Sequence, residues 1–160
     1  MRSRSRFRGI SVSCAVSCAV LILGCQEPTS PSDPVDGVFV LRTVGSNPVP
    51  AVTGAALNTE FIVLADTIVL RADGTGERRN TTSRRNLTTD ARDTTHTLHR
   101  FDYERRGDSV RATGITCEPL CDVLPDWAQY FLDGEWLVLG PGVAAHRYER
   151  IGPAAALQRR

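Results

Sequence analysis

Between residues 37 and 151 the chain is cut into short runs of β-branched and aromatic residues, separated by turn signals about ten residues apart. No window carries a long amphipathic helical period. The runs predict strands near Val38–Val44, Phe61–Leu64, Thr67–Arg71, Glu77–Arg85, Thr94–Glu104, Ser109–Thr113, Ala128–Leu132, Glu135–Leu139 and Ala145–Ile151, with a bend at Ala65-Asp66. Asp73-Gly74, Asp133-Gly134 and Arg106-Gly107-Asp108 supply turns, because Gly and Asp tolerate positive φ. A two-residue Asp133-Gly134 loop would set Phe131 opposite Trp136 and Tyr130 opposite Leu137. Successive hairpins make an antiparallel meander, and a meander this long hides its edges most simply by closing on itself. The predicted fold is all-β: an up-and-down barrel of about eight or nine strands.

The segments flanking this region are of a different kind. All 19 basic residues are Arg, and Arg2, Arg4, Arg6 and Arg8 precede an apolar run from Ile10 to Leu23. A basic start followed by an apolar run of about fourteen residues is the pattern of an export signal, too short to cross a bilayer permanently. The run ends Ile22-Leu23-Gly24-Cys25, which resembles the lipobox of bacterial lipoproteins. That resemblance implies cleavage between Gly24 and Cys25 and a diacylglycerol on the Cys25 sulfur, with further acyl chains such as palmitate firming the anchor. Gln26, where Asp would be the retention signal, implies sorting to the outer membrane facing the periplasm. Residues 1–24 therefore read as a signal peptide and 25–36 as a lipidated Cys followed by a Pro/Ser-rich tether. Residues 37–151 read as the barrel domain and 152–160 as a disordered tail.

Removing the leader changes the charge and the cysteine count. Residues 25–160 carry 15 Arg against 18 acids, a formal net of −3, which gives no electrostatic case for nucleic acid. Cys14 and Cys18 leave with the signal peptide, so Cys117 and Cys121 remain beside the lipidated Cys25. In an oxidising compartment they most simply form a local disulfide. Free thiols are the alternative, while a zinc site lacks two further ligands in any recognised spacing.

The order Phe39-Val40-Leu41, Val49-Pro50, Asp66 through Thr75 (DTIVLRADGT), Gly107-Asp108-Ser109-Val110 and Tyr148-Glu149-Arg150 resembles the lipocalin-like domains of small bacterial lipoproteins. The resemblance spans about residues 37 to 151. It implies a barrel with room for an internal ligand and no particular activity. Val49 replaces a usual Leu, Gly76 a usual aromatic, and Cys117 to Trp127 reads as an insertion.

Candidate contacts follow from the pattern. Glu77–Arg85 is polar on both alternating faces, so this hairpin either projects into water or lines a polar cavity with Arg78 and Arg84. Trp127, Tyr130 and Trp136 are the aromatic candidates for ligand or partner contact. His96 and His99 are three apart and face opposite ways on a strand, so they cannot share a metal. No nucleophile elbow, HExxH or phosphate loop occurs. The expectation is a monomeric, non-catalytic, cofactor-free binding module for a small hydrophobic or amphipathic molecule, held at the membrane by lipid. The alternative is an envelope protein or enzyme inhibitor that acts on another protein through its surface loops.

Overall fold

The structure, a computed structural model, describes residues 35–119, 127–140 and 144–155. Three quarters of these residues lie in strands. The strands are β1 (Gly37–Val44), β2 (Asn47–Pro48), β3 (Ala51–Ala56), β4 (Thr59–Leu70), β5 (Thr75–Asn86), β6 (Arg92–Arg106), β7 (Ser109–Glu118), β8 (Trp127–Asp133), β9 (Trp136–Leu139) and β10 (His146–Gly152). From β4 to β10 each strand pairs antiparallel with its successor, and β10 pairs with β1. Gly37–Val40 of β1 then pairs with Leu70–Thr67 of β4, closing an eight-stranded up-and-down barrel. Two short strands lie outside the ring: β2 folds back on the end of β1, and β3 runs along the first half of β4.

The turns form where Gly and Asp predicted them, with one change of register. In the β4–β5 turn, Gly74 takes φ +84°, while Asp73 Oδ1 accepts from the Thr75 amide at 2.9 Å and the Thr75 hydroxyl at 2.7 Å. At the β8–β9 turn the loop is Gly134-Glu135, one residue later than expected. Phe131 therefore faces Val138, Tyr130 faces Leu139, and Trp136 faces Asp133. The shift changes every partner by two residues but keeps each side chain on its face. The Ala65-Asp66 break is a bulge between Val63 and Ala65 inside one continuous strand. The β3–β4 hairpin went unread because its turn is Leu57-Asn58, both at positive φ, without the Gly that marks such turns.

Alternation decides what fills the barrel. One face of every strand points inward. At the end bearing the β4–β5, β6–β7 and β8–β9 turns, that face supplies Phe39, Ile68, Leu70, Phe101, Val110, Leu137 and Tyr148 to the core. Ile68, Leu70, Val110 and Leu137 are completely buried, each contributing about 1.5–3 kcal/mol by leaving water.

The same end is sealed by the chain's approach to β1. The Tyr103 hydroxyl lies 2.6 Å from the Val35 carbonyl and 2.7 Å from the Arg71 carbonyl, and its single proton serves one or the other. The Ala154 amide donates to Asp36 Oδ1 at 3.2 Å, tying the exit of β10 to the entry of β1. Tyr103→Phe is expected to cost about 1–2 kcal/mol by leaving these carbonyls without the phenol. Urea denaturation followed by circular dichroism checks it, and an unchanged midpoint would show that water replaces the hydroxyl.

Candidate functional site

The arginine row of β5 leads to the site. Register sets Asp66 opposite Asn80, Ile68 opposite Arg78, and Arg78 opposite His99. Residues opposite one another share a face, so Asp66, Arg78, Asn80 and His99 all point into the barrel. Among the described residues Asp66 is the most deeply placed charge, its side chain wholly buried.

A lone carboxylate there would cost several kcal/mol. Asp66 is not alone. Arg78 Nε lies 3.1 Å from Oδ1 and 2.9 Å from Oδ2, and Arg78 Nη2 donates to Oδ2 at 2.6 Å. Asn80 Nδ2 donates to Oδ2 at 3.1 Å, and from β10, two strands round the ring from β4, the Tyr148 hydroxyl donates to it at 2.9 Å. A forked guanidinium on a carboxylate is the strong, orientation-fixing form of ion pair, and here two neutral donors complete it.

Burial raises the Tyr148 phenol well above its ordinary value, against the pull of Arg78 and with the help of Asp66, so the hydroxyl stays protonated as a donor. Burial likewise raises Tyr130, which faces the same guanidinium. His99 and His146 move the other way, with burial first and the Arg78 charge second lowering their pKa below 6.5 despite Asp66. His146 Nδ1 is buried with no hydrogen-bond partner. Because both histidines resist protonation when folded, their contribution to stability is present above about pH 6.5 and is lost as pH falls toward their depressed values. The urea midpoint is expected to drop between pH 7.5 and pH 5, and His99→Gln combined with His146→Gln should flatten that slope. An equal slope in the double variant would assign the acid sensitivity to other groups.

The barrel interior thus changes character along its axis. Below the cluster, Phe39, Ile68, Leu70 and Leu137 are at most 1% exposed. At and above it, the inward-facing Asn80, Thr82, Thr97, His99 and His146 are all partly exposed, while Val44 opposite His146 and Val63 opposite Thr82 stay buried among them. Among the described residues, no three His, Cys, Asp or Glu side chains are grouped as a metal ion would require.

The candidate contacts named from sequence separate accordingly. Arg78 and Tyr130 meet in the cluster. Arg84 shares the β5 row with Arg78, but it sits near the far end of the strand, exposed, opposite Asp93. Trp127 and Trp136 lie on the outer wall, where Arg111 stands 5.7 Å over the first ring and Arg147 5.1 Å over the second. His96 faces away from His99 and meets Thr81 Oγ1 at 3.0 Å. Cys117 is the penultimate residue of β7, its sulfur 3.3 Å from the Pro119 carbonyl. Cys121, Gly24 and Cys25 lie outside the described residues, and with them the expected disulfide, cleavage site and lipidation site.

Sequence reading missed Asp66, Asn80, Tyr148, His99 and His146 as one group. The signal was Asp66 itself, a single acid inside the apolar run Phe61–Leu70, with an inward-facing arginine on the next strand to neutralise it. Comparison with known proteins matches the chain to no family model, no curated relative and no solved structure.

Proposed function

We propose that the chain is a lipoprotein of the bacterial cell envelope whose barrel binds a small apolar or amphipathic molecule without transforming it. In this reading residues 1–24 direct export, Cys25 carries the lipid, residues 26–36 form the tether, and the monomeric domain faces the periplasm from the outer membrane. The observation that carries the binding role is the interior gradient. Eight strands are enough to enclose one small ligand, the sealed end is dry, and the polar residues beyond the cluster are reachable by water. An amphipathic molecule would set its polar head on that layer. The engagement of Asp66 by Arg78, Asn80 and Tyr148 through five contacts, four of them on Oδ2, supports a holding role over a proton-transferring one.

The test is native mass spectrometry of the full chain exported by a bacterial host. Extra mass that is lost on denaturation supports binding, and a folded protein with only its covalent mass argues for a filled barrel. The same spectra test the anchor: a diacylglycerol mass on Cys25, absent in Cys25→Ser, supports lipidation, and its absence from the unaltered chain overturns it.

One observation favours a protein-binding role instead. The outer wall of β8 and β10 exposes three large apolar side chains, Trp127 at 52%, Phe131 at 48% and Ile151 at 55%. Crosslinking in the periplasm that captures a partner lost in Trp127→Ser/Phe131→Ser would shift the assignment to that wall.

A further inference from the structure

The two charges of the buried cluster cancel each other. Asp66 neutralises Arg78 through contacts of 2.6–3.1 Å, and Arg84 stands opposite Asp93 further along. His99 and His146 add no charge at neutral pH, because burial beside Arg78 holds both below their ordinary pKa.

This closure discriminates between kinds of ligand. A carboxylate brought to Arg78 would arrive beside Asp66, so two anions would share one cation in a poorly solvated place. An ammonium brought to Asp66 would find Oδ2 taken by Arg78, Asn80 and Tyr148, and at Oδ1 it would stand beside the Arg78 guanidinium, whose Nε lies 3.1 Å from that oxygen. What the layer still offers is polar but uncharged. His146 Nδ1 is buried without a partner on the strand that carries Tyr148, the two rings 6.5 Å apart, and Arg78 keeps a fifth of its side chain exposed. A buried polar atom of this kind calls for a partner. A hydroxyl or amide, which both donates and accepts, satisfies it whichever tautomer the ring adopts.

Resting on the binding role above, we propose that the polar half of the barrel selects an uncharged, oxygen-bearing headgroup, an alcohol or amide in class, and rejects carboxylates and ammonium ions. The selectivity resides in Asp66 and His146.

Titration calorimetry of the full chain at pH 7.5 with 1-decanol, decanoate and decylammonium tests this with one alkyl length and three head charges. Decanol is expected to bind at least about tenfold more tightly than either ion, a difference of about 1.4 kcal/mol. Asp66→Asn, which leaves Arg78 without its counter-charge, should reverse the order in favour of decanoate. His146→Phe should weaken decanol at least about fivefold while leaving decanoate weak, and it carries the test alone if circular dichroism shows Asp66→Asn unfolded. Equal or tighter binding of decanoate or decylammonium by the unaltered chain overturns the selectivity while leaving the binding role intact. Failure of all three probes to bind a folded chain overturns the binding role itself.

Discussion

Asp66→Ala is expected to destabilise the barrel by about 3–5 kcal/mol, enough to unfold a marginally stable domain at ambient temperature. The loss comes less from the missing attraction than from what it strands. The Arg78 guanidinium would remain inside the barrel without a counter-charge, and the Tyr148 hydroxyl and Asn80 amide would lose their common acceptor. Replacing both charges tests this account. In Asp66→Leu/Arg78→Met neither ion is present, and most of the lost stability should return, because apolar residues of similar volume can substitute for a buried ion pair. Guanidinium chloride denaturation followed by circular dichroism provides the comparison. If the double variant is as unstable as Asp66→Ala, the cluster matters for shape and its charges do not matter for balance.

Gly76→Ala is expected to cost about 2–3 kcal/mol, a large effect for one methyl group. Gly76 lies opposite Phe101 on the inward face, and the ring fills the space a side chain would occupy. A β-carbon at that position would lie 2.7 Å from Cδ2 of Phe101 and closer still to Cε2 and Cζ. The ring is 5% exposed and part of the core, so it has little freedom to withdraw. Gly76→Ala/Phe101→Leu should be more stable than the sum of the two single losses implies, since the smaller side chain makes room for the methyl. Strict additivity of the two losses would place the strain elsewhere.

These residues also mark how far the sequence could be read. The barrel was legible because its devices are local: β-branched runs, Gly and Asp at turns, and period-two alternation. The Gly76–Phe101 contact joins positions 25 apart and depends on register, which alternation does not specify. Register likewise displaced the β8–β9 loop by one residue, since Asp133-Gly134 and Gly134-Glu135 both satisfy a two-residue turn. The candidate site was half legible. The polar row of β5 left an Arg-lined interior as one of two readings, beside a hairpin projecting into water, and its partner Asp66 sat in an apolar run where it read as a bend. Tyr148 reaches the same carboxylate across 82 residues of chain, and only closure of the ring brings them together. Trp127 and Trp136 drew attention by residue type, but alternation places both on the outer wall.

The link between Asp36 and Ala154 bears on orientation. The chain enters the barrel and leaves it at the same pole, the dry one, while the water-reachable polar layer lies toward the other. A domain suspended by the residues that precede β1 would hang with its sealed base toward the point of attachment and its receptive side toward the surrounding solution. On the binding and anchoring roles proposed above, cargo would then be exchanged with the aqueous compartment, and lengthening or shortening residues 26–36 would alter how far the barrel can reach without changing what it can hold.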